Sequence, residues 1–182
     1  GATVCGQADA LVFTGSVPTG RRIAELAAQR FIPAHLELGG KDPAVVLSSA
    51  NIDLAARTIT FCSVQSSGQA CQSIERVYVA RDRYAEFVSK SVAFAQTLQI
   101  NYPDIEHGVL GPFIFAAQAH KVMTQIEDAV AKGATVHCGG KLIEHGGLWM
   151  EPTVLTNVNH DMLVMQEETF GPLMPIMPFD SN

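Results

Sequence analysis

The chain of 182 residues is 47% hydrophobic and 16% charged, enough apolar material for a real core in one globular domain or a large piece of a two-domain enzyme. A net charge of -6 and the lack of any basic run interleaved with aromatics argue against nucleic-acid binding. No apolar run approaches the roughly 20 residues that a membrane helix needs, and Gly1–Cys5 lacks the charged start and apolar stretch of a signal peptide. Cys5, Cys62, Cys71 and Cys138 are spread without a CxxC pair, which disfavours a disulfide framework and points to free thiols in a reducing, cytoplasmic setting. His137, Cys138 and His145 come nearest to a metal cluster but lack the paired spacing of a zinc site, so no metal is expected.

In chain order, Ala8–Phe13 is a short apolar run that reads as a buried strand. Thr14–Gly20 breaks it, and a helix is expected over Arg21–Arg30, with Ile23, Leu26 and Ala27 on one face. A strand, a glycine turn and a helix resemble an anion-cradling unit, because N–H groups at a helix N-terminus attract negative charge. The spacing of Gly15 and Gly20 matches neither the dinucleotide fingerprint nor the P-loop, so the residues alone favour an ordinary strand-to-helix turn.

Glu37 lies between Leu36 and Leu38 and in a strand points away from both. Partly apolar surroundings would desolvate its carboxylate and raise its pKa toward general-base range, but the residues alone favour an exposed edge-strand glutamate before Gly39-Gly40. Pro43–Leu47 reads as a buried strand. A helix over Leu54–Gln65 follows, capped by Asn51 or Asp53.

Ser66-Ser67-Gly68-Gln69-Ala70-Cys71 ends that helix and is expected to lead into a second short one. A thiol becomes a strong nucleophile near pH 7 with modest help from its surroundings, and a neighbouring glycine lets the chain turn sharply. Free cysteine is also among the most buried residue types, so this stretch alone leaves Cys71 open between a reactive thiol and a structural one.

Farther on, Arg76–Ala80 reads as a strand, and Tyr84, Phe87, Val88, Val92 and Ala95 mark the apolar face of a helix. Asn101–Gly111 is a loop, and Ala116–Lys132 is a helix stopped by Gly133. Ala134–Cys138 is a strand, Gly146–Leu155 a loop and then a strand, and Leu173–Phe179 a closing apolar stretch. Strands alternating with helices indicate an α/β fold with a largely parallel or mixed sheet.

Taken together, Phe13-Thr14-Gly15-Ser16 with Gly20, Glu37-Leu38-Gly39-Gly40-Lys41, Gly68-Gln69-Ala70-Cys71 with Arg76, Gly111-Pro112 and Glu167-Glu168-Thr169-Phe170-Gly171-Pro172 resemble the aldehyde dehydrogenase superfamily in order and spacing. The resemblance implies a Rossmann-like sheet flanked by helices. Residues 1–36 would be the end of a cofactor-binding domain and 37–182 a truncated catalytic domain, both belonging to a larger enzyme. It implies Cys71 as the nucleophile and Glu37 as the general base. Gly15, Ser16 and Gly20 would form the turn beside a pyrophosphate, Leu38 a backbone contact to nicotinamide, Glu168 the nicotinamide-ribose partner, and Phe170 its neighbour. Lys41 and Arg76 would be structural, in salt bridges. Ser66 stands where the family often has asparagine.

The implied activity is NAD- or NADP-dependent oxidation of an aldehyde to a carboxylic acid through a cysteine thiohemiacetal and a thioester, in a homodimer or homotetramer. Alternatives compatible with the same residues are thiol-dependent ester hydrolysis, transfer of the acyl group to CoA, and an inactive fold fragment.

Overall fold

The computed structural model describes residues 1–180. Two compact units divide after Gly40, whereas the boundary expected after residue 36 lies inside a strand.

In the first unit a short helix α1 (Ala2–Cys5) precedes β1 (Leu11–Gly15), α2 (Val17–Gln29) and β2 (Ala34–Leu38). The two strands pair in parallel, with Gly15 beside Leu38 and Thr14 beside Glu37. Cys5, Leu11 and Ala27 form its small core. β1 is not the buried strand that its apolar run suggests: only Leu11 is buried, and Val12 is 80% exposed. α2 starts earlier than expected, because Pro18 stands in its first turn, where a missing N–H costs nothing.

The second unit is built on a five-stranded sheet with the order β3-β4-β9-β8-β5. Its strands are β3 (Asp42–Val46), β4 (Ile74–Ala80), β5 (Thr135–Cys138), β8 (Thr153–Thr156) and β9 (Leu173–Phe179). Three pairings are parallel, and only β5–β8 is antiparallel, so the fold is α/β with a mixed sheet. Side-chain alternation sorts neighbours to opposite faces. Val154 and Met174 join a core with α3 (Ile52–Val64) and α4 (Arg81–Ala95), while Leu155 and Leu173 join one with α5 (Ala116–Ala131) and α6 (Leu163–Gln166). Helices therefore cover both faces, as a parallel sheet requires.

Local chemistry sets the element ends. The Asn51 side chain accepts from the Leu54 N–H at 3.1 Å and caps α3. Gly133 adopts φ 99° just past α5. β3 corrects a second expectation: it is an edge strand, which leaves Val45 59% exposed. A small hairpin pairs β6 (Leu142–Glu144) with β7 (Leu148–Met150), the latter at the start of the stretch Gly146–Leu155 that reads as a loop and then a strand. No second helix follows Cys71. The short helical turn precedes it at Gln65–Gly68, and a turn then enters β4. Among the described residues no helix is long and apolar enough to cross a membrane.

Candidate active site

The stretch leading to Cys71 is held in an unusual backbone shape. Ser66 (φ 53°), Ser67 (φ 58°) and Gly68 (φ 66°) all lie in the left-handed region. For two serines this stores strain of about 1–3 kcal/mol each, which persists only where the surroundings over-determine it. Those surroundings are neutral hydrogen bonds to the segment around Gly111. The buried Ser67 Oγ donates to the Gly111 carbonyl at 2.7 Å. The Gln69 side chain donates to the Pro112 carbonyl at 3.1 Å and accepts from the Ile114 N–H at 2.9 Å. Gly68 admits no side chain, since a Cβ there would stand 2.1 Å from the Gly171 carbonyl oxygen. These contacts fix Ser67, Gly68 and Gln69, and Cys71, two residues farther on, is exposed and not in the core. Its thiol donates to the Gln72 side-chain oxygen at 3.2 Å.

The segment Glu168–Phe170 is fixed by different means. The backbone N–H groups of Thr169 and Phe170 donate to the two carboxylate oxygens of Glu75, each at 2.8 Å. The Lys41 ammonium lies 3.1 Å from the same carboxylate and donates to Thr169 Oγ1 at 2.7 Å. That hydroxyl donates to the Gln125 side-chain oxygen at 2.7 Å, and the Gln125 amide donates to the Glu168 carbonyl at 3.1 Å. Lys121 also donates to the Glu168 carbonyl, and Gln118 to that of Thr169.

The Lys41 and Glu75 side chains are only 7% and 5% exposed. Burial pushes the Lys41 ammonium below the ordinary lysine range, and the Glu75 carboxylate opposes the shift. Lys41 is thus paired in a buried salt bridge, in line with its reading as a structural residue. Arg76 donates to the carbonyls of Lys41 and Met165.

In the first unit the parallel register brings Gly15, Glu37 and Leu38 to the C-terminal ends of β1 and β2, the end of an open α/β sheet where ligands gather. Ser16 stands at the N-terminus of α2, and its hydroxyl donates to Thr19 Oγ1 at 3.0 Å. Gly20 lies under Leu38: a Cβ on Gly20 would come within 2.5 Å of a Leu38 methyl. Glu37 is exposed in a strand, as the reading favoured by the residues alone expects, and not in desolvating surroundings. The lone metal candidates separate. His137 bonds Thr156 Oγ1 at 2.7 Å and His145 stacks on Tyr102. Among the described residues no group of three or more His, Cys, Asp or Glu side chains could hold a metal ion.

Glu75, Gln118, Lys121 and Gln125 were not singled out by sequence reasoning. Glu75 carried a usable signal. It occupies a buried position of a strand whose other buried positions are Val77, Val79 and Ala80, and a carboxylate there demands partners.

Comparison with known proteins accords with this geometry. The lactaldehyde dehydrogenase of Escherichia coli (strain K12) is 40% identical over 169 residues, covering 92% of this chain and 35% of the relative. A succinate-semialdehyde dehydrogenase [NADP(+)] 1 of Mycobacterium bovis (strain BCG / Pasteur 1173P2) is 38% identical over 92% of this chain and 36% of its own length. The solved structure described as "Putative Aldehyde Dehydrogenase PutA from Anabaena variabilis" superimposes with a TM-score of 0.97 at 55% identity, covering 99% of this chain and 39% of that one. The chain therefore spans little more than a third of the length of the relatives it matches. The sequence model of the aldehyde dehydrogenase family matches residues 3–182, and the chain belongs to that family.

Proposed function

We propose that the full-length protein carrying this chain oxidises an aldehyde to a carboxylic acid with NAD or NADP, using Cys71 as nucleophile and Glu37 as general base. The observation that carries the reading is the exposed Cys71 at the end of a strained loop held at Ser67, Gly68 and Gln69, within a chain of this family. Exposure lets a substrate carbon reach the sulfur, and a fixed loop spares the cost of ordering it at each turnover.

The Cys71 thiolate adds to the carbonyl carbon and forms a tetrahedral thiohemiacetal. The developing oxyanion accepts from the Cys71 backbone N–H. A bound nicotinamide supplies the hydride acceptor that side chains cannot. The thioester left on Cys71 is then hydrolysed by water from which Glu37 removes a proton, and the thiolate leaves. Hydrolysis with Glu37 is favoured here over acyl transfer to CoA.

The donor set suits such a cofactor. Glu168 offers a carboxylate for ribose hydroxyls beside Phe170, and the N-terminus of α2 at Ser16 offers N–H groups to a pyrophosphate. On this reading the first unit, with Gly15, Ser16, Gly20 and Leu38, is the end of a cofactor-binding domain. The NADP(+) named for the mycobacterial relative supports a nicotinamide acceptor.

The test is NAD(P)H production by the full-length protein with aliphatic and aromatic aldehydes. Cys71→Ala is expected to abolish it, and Glu37→Gln to leave a small residual rate. Turnover by Cys71→Ala at the wild-type rate would refute the assignment.

A further inference from the structure

The clamp on Glu168–Phe170 has a geometry that packing alone does not require. Phe170 adopts φ 51°, a conformation that a bulky side chain avoids. It sits between Thr169, which is fully buried, and Gly171, whose Cα faces Val122 and Phe113. Both N–H groups on the strained side are taken by one carboxylate, that of Glu75. Glu75 itself stands at an irregularity. Asp42 pairs with Ile74 and Pro43 with Arg76, so Glu75 is the extra residue of a bulge in β4. Bulges re-aim a side chain out of the regular pleat. Here the re-aimed side chain spans more than ninety positions of sequence to reach the loop.

We propose that Glu75 is a positioning residue for cofactor binding: its buried carboxylate, balanced by Lys41, sets the strained backbone that presents Glu168 and Phe170. The inference rests on the reading of Glu168 and Phe170 as cofactor residues and adds the group that acts through them. Charge is needed because two N–H donors and an ammonium converge on the same carboxylate. A glutamine at this position would turn one acceptor into an N–H₂ facing an N–H, and would leave Lys41 without a counter-charge. An aspartate would keep the charge beside Lys41 but is shorter by one methylene, so it cannot hold both N–H groups at once. Aspartate therefore separates positioning from charge balance.

The experiment compares full-length wild type, Glu75→Asp, Glu75→Gln and Glu168→Gln. Steady-state kinetics gives KM for cofactor and for aldehyde, and hydrogen exchange follows the backbone amides of Thr169 and Phe170 without cofactor. For Glu75→Asp the expected result is faster exchange at both amides and a cofactor KM raised about tenfold to a hundredfold, the scale of one unsatisfied buried polar group. The aldehyde KM is expected to stay within about threefold of wild type, since uniform substrate binding is untouched. Glu75→Gln should show the same pattern with lower stability.

Unchanged exchange in both Glu75 variants would overturn the clamp. Faster exchange with a wild-type cofactor KM, while Glu168→Gln raises that KM, would overturn the positioning role. A Glu168→Gln protein with wild-type cofactor KM would overturn the reading beneath the proposal, and the exchange data would still show whether Glu75 holds the loop.

Discussion

The Cys71 loop and the Glu168–Phe170 segment touch at Gly68 and Gly171, yet they are restrained in opposite ways. The first is held by uncharged hydrogen bonds and by a glycine with no space for a side chain. The second is held by a buried ion pair and a chain of amide and hydroxyl groups. On the proposed function, the difference follows from what each would present. The loop offers one exposed sulfur, and a fixed charge at its base would alter the thiol that it supports. The segment offers a carboxylate and an aromatic ring on strained backbone, and charge-assisted bonds are strong enough to keep that strain in place.

Breaking the charged clamp should cost most. Lys41→Met leaves the Glu75 carboxylate buried without its cation, a loss of about 3–5 kcal/mol. The urea midpoint of the full-length protein measures it, and a loss below about 1 kcal/mol would show that the network does not depend on charge balance. Gly68→Ala attacks the contact between the two regions. Its methyl group would collide with the Gly171 carbonyl in a left-handed conformation, with an expected cost of about 3 kcal/mol on the same scale. Ser67→Ala tests the neutral straps. Loss of the bond to Gly111 should cost about 1–2 kcal/mol and change the alkylation rate of Cys71, while amide exchange at Thr169 and Phe170 stays as in wild type. Equal loosening of both regions would mean that they form one unit.

The smallest effect lies outside both regions. Asp128 joins α5 to α6 by accepting from Lys132 Nζ at 2.7 Å and from the Leu163 N–H at 2.8 Å. The Lys132 bond first, and then the backbone bond, hold its carboxyl below the usual carboxylate range. A depressed folded-state value stabilises the fold in full above the unfolded carboxylate value and is lost as pH falls through the folded one. Asp128→Asn should therefore melt slightly below wild type at pH 7, and the two melting curves should converge in acid.

The fold was legible in the sequence wherever periodicity was long. α4 is marked by Tyr84, Phe87, Val88, Val92 and Ala95, and β9 by an unbroken apolar run. Short or edge elements were not legible. The β6–β7 hairpin is built from two strands of three residues in a glycine-rich stretch, too short for a period to show. β1 and β3 read as buried because hydrophobicity reports side-chain type and not which strand takes the edge.

Cys71, Glu37 and Glu168 stood out through motif order. What holds them did not. Nothing in Ser66-Ser67 announces two consecutive left-handed residues, since serine lacks glycine's freedom and the bond that holds Ser67 there comes from Gly111, far along the chain. Glu75 carries its information in a bulge and in partners far along the chain, which local pattern cannot reveal, although a glutamate among the valines of β4 hinted at it. Glu37 is exposed, as the edge-strand reading favoured by the residues alone expects.

The central claim is covalent chemistry at Cys71, and the most direct measurement is intact-protein and peptide mass spectrometry of full-length Glu37→Gln quenched during turnover with an aldehyde and NAD or NADP. The expected result is an acyl adduct on the Cys71 peptide, heavier by the aldehyde less two hydrogens, with the peptides containing Cys5, Cys62 and Cys138 unmodified. Turnover with no adduct at Cys71, or with the acyl group on another cysteine, would contradict it.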